Sequence, residues 1–363
     1  MNLGQGFPDE DGPAAMLEVA RKAIAAGVNQ SPPGPGIIEL REAIAAQRSR
    51  RYGQEFEAET QVLVTVGASE AIAAAVLGLV EPESEVLLLE PYFDTYAPVI
   101  AMAGAHRISV PLVPDGRGFA LDVDAVRAAI TPRTRAIIVN SPHNPTGMVL
   151  GDDELRALAE VAVAADLLVI SDEVYERLVF DGREHRPVAS YPGMADRTVT
   201  ISSAAKMFNC TGWKIGWVCG APELVAGVRA AKQYLSYVGG APFQPAVAYA
   251  LNHEDAWVDG LRDSLQSKRD RLAGALSELG FGVHDSSGTY FLCVDPRPLG
   301  FDDSTAFCEE LPHRAGVAAI PMSAFCDPGG TPEAWKHLVR FAFCKRDETL
   351  DEAIKRLGTL SPS

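Results

Sequence analysis

The sequence predicts an α/β fold, in which helices sandwich a mostly parallel seven-stranded sheet and a smaller α+β domain is attached. Between residues 61 and 219, short apolar runs rich in β-branched residues alternate with helix-like patterns. Such alternation is typical of a parallel sheet that is covered by helices on both faces. The expected strands are 61–66, 85–90, 107–111, 136–140, 167–171, 198–202 and 215–219, with helices at 39–52, 68–80, 121–130 and 152–165.

A second domain is expected because the pattern changes after about residue 253. Residues 254–280 form one long amphipathic pattern that ends at Gly280, a typical helix stop. A single core stops growing at about 250 to 300 residues, so a chain of 363 residues fits two packed units. We expect a large domain at 30–253 and a small domain at 1–29 and 254–363. The small domain's expected strands are 282–284, 290–295, 316–321 and 337–344, followed by a helix at 347–357.

The charge balance argues against nucleic acid and membranes as partners. Asp and Glu number 48 against 32 Lys and Arg, which gives a net charge of −16, and a field of that sign repels phosphate backbones and anionic lipids. The longest apolar run, residues 71–80, has about half the length that a bilayer-spanning helix needs. The N-terminus lacks the basic and apolar stretches of a signal peptide. We therefore expect a cytoplasmic protein.

The cysteine pattern argues against a disulfide framework and against a zinc site. The six cysteines are widely spaced, and no CxxC pair occurs. Structural zinc sites and disulfide-rich folds usually show closely spaced cysteines. We expect reduced thiols and no bound metal.

Four polar segments come directly after strands of the predicted sheet. They are residues 67–69, 144–147, 172–175, and 202–206 together with 211–214. In open α/β sheets the ligand lies beyond the carboxyl ends of the strands. These segments are therefore expected to converge on one crevice.

Together these segments resemble the class I aminotransferases, which are pyridoxal-5′-phosphate (PLP) enzymes of fold type I. The resemblance extends from Asn2–Pro8 to Val339–Phe341. It is closest to the branch that contains kynurenine and glutamine aminotransferases, cysteine-S-conjugate β-lyases and bacterial N-succinyldiaminopimelate aminotransferase. Residues 201–210 and 239–244 are most similar to the last of these. The resemblance implies PLP as the cofactor and a homodimer whose active sites are shared across the interface.

The resemblance implies catalytic roles for three residues. Lys206 would hold PLP as a Schiff base, and its freed amine would move a proton between the substrate Cα and the cofactor C4′; burial favours the neutral amine that this requires. Asp172 would keep the pyridine nitrogen protonated, although an aspartate at this place could also be a helix N-cap. Tyr175 and Asn144 would donate to the 3′-oxygen, although Asn-Pro-Thr-Gly is also an ordinary turn sequence.

The cofactor phosphate is expected where the first predicted strand turns into a helix. Ala68 and Ser69 lie at this turn, and the first backbone amides of a helix are unpaired and positively polarised. The resemblance adds Ser203 and Lys214 as further phosphate ligands. Lys214 could instead be a charge on a helix surface.

The resemblance also assigns one aromatic residue and a substrate site. Tyr92 would stack on the cofactor ring, although Phe93 and Tyr96 compete for this role and core packing is the alternative. Arg340 lies in an apolar strand, where a buried charge must find an anion. The family assigns the substrate α-carboxylate to that guanidinium, together with Asn144 and the backbone of Gly6; a structural ion pair is the alternative for Arg340, and an ordinary turn for Gly6.

Two features depart from the family. Relatives carry a tyrosine after Asn-Gln, where this chain reads Asn29-Gln30-Ser31, and that tyrosine reaches the partner subunit's cofactor phosphate. Ser31 is too short for this contact, so we expect weaker cofactor retention. The chain also begins inside the first family motif, at Asn2, without the N-terminal arm of relatives. Either the start site is misassigned, or the arm is absent, and we then expect a less stable dimer and a less stable closed state of the active site.

The expected activity is a ping-pong transamination between an amino acid and 2-oxoglutarate. The resemblance favours N-succinyl-LL-2,6-diaminopimelate as the amino acid, in lysine biosynthesis. The first alternative is a broad aromatic or glutamine aminotransferase with β-lyase activity on cysteine conjugates. Two others are a sensor module of a transcription regulator and an inactive homologue. Candidates for reading the distal end of the substrate are Thr289, Tyr290 and a partner's loop at residues 239–240.

Overall fold

A seven-stranded sheet forms the centre of the computed structural model, which describes residues 1–328 and 330–360. Its strands are β1 (Val62–Val66), β2 (Glu85–Glu90), β3 (His106–Pro111), β6 (Thr134–Asn140), β7 (Leu168–Asp172), β8 (Thr198–Ser203) and β9 (Ile215–Cys219). A separate small hairpin contains β4 (Val113–Asp115) and β5 (Gly118–Ala120). The spatial order of the sheet is β1-β9-β8-β7-β6-β2-β3, and β9 is antiparallel to both of its neighbours. The predicted fold class and its seven strands are confirmed.

Helices cover both faces of this sheet. Along β2, Val86 and Leu88 pack into the core on one face, and Leu87 and Leu89 pack into the core on the other. This alternation follows from the strand geometry, which points successive side chains to opposite faces. The helices are α1 (Ala14–Ala25), α2 (Ile38–Tyr52), α3 (Gly67–Leu79), α4 (Tyr96–Met102), α5 (Val123–Ala129), α6 (Asp152–Ala164), α7 (Ala204–Met207), α8 (Pro222–Lys232) and α9 (Gln244–His253).

A four-stranded antiparallel sheet forms the core of the C-terminal part. Its order is β10-β11-β13-β12, and three helices accompany it. These elements are β10 (Gly282–Val283), β11 (Phe291–Asp295), β12 (Ile320–Pro321), β13 (Val339–Ala342), α10 (Asp255–Glu278), α11 (Ser304–Ala315) and α12 (Asp347–Leu357). The division of the chain at residues 30 and 253 stays a prediction. None of the described helices combines the length and the apolar character that a membrane crossing requires.

The structure corrects the strand predicted at 316–321. Only Ile320–Pro321 is a strand, because α11 extends to Ala315 and Gly316 ends it in the left-handed conformation, at φ 64°. Glycine is favoured at this position because it has no Cβ to clash. Four helices of ten residues or more, α1, α8, α9 and α11, were not predicted.

The N-terminal segment is bound to the small sheet as an added strand-like layer. Leu3 N donates to Ala318 O at 3.0 Å, and Ala342 N donates to Leu3 O at 2.6 Å. Asp9 N donates to Cys344 O at 3.2 Å. These bonds carry the backbone of residues 4–7 across the carboxyl edge of the large sheet.

Two glycines allow the turn from β1 into α3 to pack closely against β9. Gly67 begins α3 at a φ of 74°, and Gly216 lies beside it on β9. A Cβ added to Gly216 would lie 2.5 Å from the carbonyl carbon of Gly67 and 2.7 Å from the nitrogen of Ala68. Gly216 therefore sets the position of the first amides of α3.

We predict that Gly216→Ala destabilises the protein, because the methyl group would meet rigid backbone. Overpacking of this kind costs about 1–3 kcal/mol, which a fall in the urea unfolding midpoint would report. Gly274→Ala is the matched control, since Gly274 lies inside α10 with nothing within 4 Å of its added Cβ. Alanine favours a helix interior by up to about 1 kcal/mol, so the control should hold or raise the midpoint. Equal midpoints for the two variants would contradict this account.

A buried ionic cluster supports the loop that follows β7. Arg48 on α2 donates to Glu173 at 3.0 Å and to Glu176 at 2.8 Å, and His185 Nε2 lies 3.0 Å from Glu173. All four side chains are buried. Burial raises the pKa of Glu173, but attraction to Arg48 and His185 outweighs this effect and lowers it to about 2. The charged cluster therefore fixes the turn that directly follows Asp172.

We predict that Arg48→Met strongly destabilises the protein, because two carboxylates would stay buried without their cation. Removing one partner from a buried ion pair typically costs about 3–5 kcal/mol. Arg127→Met is the control, since Arg127 forms a solvent-exposed pair with Asp124 and such pairs contribute little. Urea unfolding measures both variants. Similar midpoint shifts for the two would mean that the cluster adds no particular stability.

Candidate active site

A cavity of about 490 Å³ lies at the carboxyl ends of the large sheet and is closed by residues of the small sheet. Strands β1, β6, β7 and β8 end at its edge, as the sequence predicts. Every predicted site residue except Tyr92 lines this cavity, namely Gly6, Ala68, Ser69, Asn144, Asp172, Tyr175, Ser203, Lys206, Lys214 and Arg340. The predicted convergence of the four polar segments is confirmed.

Lys206 presents its amine inside the cavity from the short helix α7, directly after β8. Its Nζ donates to the hydroxyl of Tyr290 at 2.7 Å, and that hydroxyl donates to the carbonyl of Gly6 at 2.6 Å. Burial lowers the pKa of Lys206 to about 8. A substantial fraction of this amine is therefore neutral near physiological pH, which is the form that attacks carbonyl groups.

Asp172 is the last residue of β7, and its side chain is buried. Its Oδ2 accepts from the hydroxyl of Tyr96 at 2.6 Å, and its Oδ1 accepts from the backbone nitrogen of Val174 at 3.3 Å. Burial raises the pKa of this carboxyl group to about 6. A turn follows β7, and no helix begins at Asp172, so the helix N-cap alternative does not hold.

One corner of the cavity is built to receive an anion. The N-terminus of α3 opens into it at Gly67, Ala68 and Ser69. Three side chains surround these amides: the ammonium group of Lys214 and two hydroxyl groups, those of Ser203 and Thr211. Lys214 precedes β9 in the left-handed conformation, at φ 56°, so it is not a helix-surface charge. Unpaired amides, hydroxyls and an ammonium are typical ligands of a phosphate group.

Arg340 is a buried cation that forms no salt bridge with any carboxylate of residues 1–328 and 330–360. Its guanidinium contacts two aromatic rings, with Cζ 3.9 Å from the centroid of Phe291 and 4.5 Å from that of Phe325. Its Nη1 donates to Asn144 Oδ1 at 2.7 Å and its Nη2 donates to the carbonyl of Gly4 at 2.9 Å.

The remaining donor of Arg340, Nε, is buried and unpaired within the described residues, none of whose carboxylates forms a salt bridge with this side chain. Burial lowers the pKa of Arg340 to about 10, so the side chain remains charged at neutral pH. The alternative of a structural ion pair does not hold. A buried, unmatched guanidinium is instead suited to bind the carboxylate of a ligand.

The structure corrects the prediction for Tyr92. Its hydroxyl donates to Asp327 and its backbone nitrogen donates to Phe325 O at 2.8 Å, outside the cavity. The aromatic residue that faces the cavity from this segment is the next one, Phe93, followed by Asp94. Because Tyr92 and Phe93 are adjacent aromatic residues, the sequence alone does not indicate which of them faces the cavity.

Other cavity residues were not predicted, because their types are common in ordinary cores and turns. They include Phe7, Asn140, Phe291, Ile320 and Phe325. The candidates for the distal substrate group are engaged elsewhere: the Thr289 hydroxyl accepts from Phe291 N at 3.1 Å, and Tyr290 bridges Lys206 and Gly6. Tyr290 therefore contacts the reactive amine and not the outer part of the cavity.

The chain is similar to known aminotransferases over almost its whole length. It is 72% identical to the probable N-succinyldiaminopimelate aminotransferase DapC of Mycobacterium tuberculosis, covering 99% of this chain and 92% of that protein. The solved structure of the N-succinyldiaminopimelate aminotransferase of Mycobacterium tuberculosis matches with a TM-score of 0.97 and 73% identity, covering 99% of this chain and 93% of that one.

More distant relatives differ in the substrates that they are named for. The methionine aminotransferase of Escherichia coli is 38% identical, covering 99% of this chain and 92% of that protein. The rat kynurenine–oxoglutarate transaminase 3 is 36% identical, covering 97% and 83%. The family model for aminotransferase class I and II matches residues 1–357. The chain therefore belongs to the class I and II aminotransferases.

Proposed function

We propose that the protein is a PLP-dependent aminotransferase that exchanges the amino group of N-succinyl-LL-2,6-diaminopimelate with 2-oxoglutarate, in lysine biosynthesis. The aminotransferase activity is supported by one observation: Lys206, Asp172 and the guanidinium of Arg340 line the same cavity. The substrate rests on the 72% identity to the mycobacterial relative. We expect the enzyme to act in the cytoplasm on small amino and 2-oxo acids.

The residues of the cavity fit PLP. The amides of Ala68 and Ser69, with Ser203 and Lys214, would hold its phosphate, and Asp172 would share a proton with its pyridine nitrogen. Tyr175 and Asn144 would face its 3′-oxygen, and Phe93 offers the aromatic wall. When bound, PLP supplies an electron sink for the charge that develops at the substrate Cα.

The cavity also accounts for the handling of the substrate. Arg340 would take the α-carboxylate in a bidentate manner, and Asn144, which already accepts from Nη1, would hold the guanidinium in place. The neutral amine of Lys206 would remove the proton from the substrate Cα. Phe291 and Phe325 exclude water from this charge pair, which strengthens it.

A homodimer would complete the substrate site. Among the residues that line the cavity, the only cations are Lys206, Lys214 and Arg340, whereas the proposed substrate carries further carboxylates at its distal end. Large apolar side chains are exposed at Tyr234 (89% exposed), Leu235 and Tyr237, next to the loop at residues 239–240. We infer that this surface packs against a second copy and that the loop reaches the partner's cavity.

A broad aromatic aminotransferase with β-lyase side activity is the second candidate. It is favoured by the aromatic wall of Phe93, Phe291 and Phe325 and by the kynurenine transaminase relatives. The two candidates differ in the distal group of the donor, which is anionic in one and apolar in the other.

We predict that succinyldiaminopimelate is the preferred amino donor with 2-oxoglutarate. Its kcat/KM should exceed those of kynurenine, glutamine, phenylalanine and methionine by at least about tenfold, or about 1.4 kcal/mol of transition-state discrimination. A steady-state panel of these five donors measures this ratio. A preference of that size for an aromatic donor would select the second candidate instead.

We predict that PLP capture by the cofactor-free protein follows the titration of Lys206. Since the neutral amine reacts, the rate at which yellow absorbance appears after PLP is added should rise with pH and level off above a midpoint near 8, the lowered pKa of Lys206. A lysine of ordinary pKa, about 10.4, would show a rate that still rises at about pH 10. Lys206→Ala is the control and should give no such absorbance. Absorbance in this variant would remove Lys206 from its proposed role.

A further inference from the structure

The segment that follows β12 supplies one wall of the carboxylate site. Residues Met322–Phe325 form a short 3-10 turn, and the ring of Phe325 is buried against the guanidinium of Arg340. Phe291, which belongs to β11 of the small sheet, also lies against this guanidinium. Phe325 itself belongs to no long element, since it is the last residue of this short turn.

Asp327 connects this segment to the edge of the large sheet. Its carboxylate accepts hydrogen bonds from Tyr92 Oη and Arg107 Nε, and from Ser109 Oγ at 2.7 Å. Its backbone nitrogen donates to Glu90 Oε1 at 2.6 Å. All four partners belong to β2, β3 or the residues just after β2, so the carboxylate and the backbone nitrogen of this residue from the C-terminal part of the chain are bonded to the edge of the large sheet.

The carboxylate of Asp327 is charged and partly buried. Burial raises its pKa, but hydrogen bonds from Tyr92, Ser109 and Arg107 outweigh burial and hold the pKa below its ordinary value. A single exposed ion pair contributes little, but here three donors converge on a carboxylate that is 28% exposed. A further backbone bond, from Tyr92 N to Phe325 O, continues the attachment towards the cavity.

We propose that Asp327 is a positioning residue for the substrate carboxylate. It fastens residues 322–327 to β2 and β3, and so keeps the ring of Phe325 on the guanidinium of Arg340. This inference rests on the proposed function, because it takes Arg340 as the ligand of the α-carboxylate. The ring restricts the guanidinium to one plane and excludes water from it, and both effects favour a bidentate carboxylate.

Both substrates carry an α-carboxylate, so a loosened segment should weaken the binding of both. For Asp327→Ala we expect the KM values for the amino donor and for 2-oxoglutarate to rise together by about tenfold, with kcat changed by less than about threefold. Asp327→Asn should have a smaller effect, because the amide oxygen can still accept from Tyr92 and Arg107, and the amide nitrogen can donate to the hydroxyl oxygen of Ser109. Assays with saturating PLP keep cofactor retention out of the comparison.

Two further variants separate positioning from general stability. Glu333→Gln is the matched control, since Glu333 is an exposed acid in the same region, paired with Lys336, and neither KM should change. Phe325→Leu removes the ring but keeps Asp327 and its bonds. Amide hydrogen exchange over residues 322–327 should quicken in Asp327→Ala but not in Phe325→Leu or Glu333→Gln, while both Asp327→Ala and Phe325→Leu raise the two KM values.

The proposal is overturned if Asp327→Ala accelerates exchange without raising either KM, if it raises only one of them, or if only kcat falls. It is also overturned if exchange over residues 322–327 matches that of the unaltered protein. Failure of the proposed function is a distinct result, since the unaltered enzyme would then not transaminate or would prefer an aromatic donor, while the exchange comparison would still report on the attachment by Asp327.

Discussion

The cavity depends most on the guanidinium of Arg340, which is buried and has no carboxylate partner among the described residues. Such a charge is costly in an apolar interior unless hydrogen bonds and an anion compensate it. Arg340 donates hydrogen bonds to Asn144 and to the carbonyl of Gly4, which supply part of this stabilisation. The N-terminal segment and the loop after β6 therefore lie next to the guanidinium. In the proposed function the rest of the stabilisation comes from the α-carboxylate of the substrate, so a charge that is costly in an apolar interior also favours the ligand.

Two buried arginines, Arg48 and Arg340, differ in whether carboxylates neutralise their charge. Arg48 has two carboxylate partners, Glu173 and Glu176, and its role is to hold the turn after β7. Arg340 has none among the described residues. The two sites are linked, because the turn that Arg48 supports directly follows Asp172 and carries Tyr175 into the cavity.

The sequence predicts the large sheet and the polar side of the cavity well, because buried strands are continuous apolar runs and the polar segments follow them directly. It does not identify Phe291 or Phe325, which come from another sheet and look like core residues. The choice between Tyr92 and Phe93 depends on Asp327, more than two hundred residues away. The strand expected from residue 316 was misjudged because Gly316 ends α11 in the left-handed conformation, which the apolar run that follows it does not reveal.

The cavity has two walls of separate origin. The strand ends of the large sheet contribute the amine, the acid and the anion corner, whereas Phe291, Ile320 and Phe325 come from the C-terminal part of the chain. Substitutions on the second wall can therefore change how a ligand is held while the amine, the acid and the anion corner stay intact. Such a separation allows one fold to serve different substrates. Relatives named for methionine, kynurenine and succinyldiaminopimelate within one family agree with this expectation.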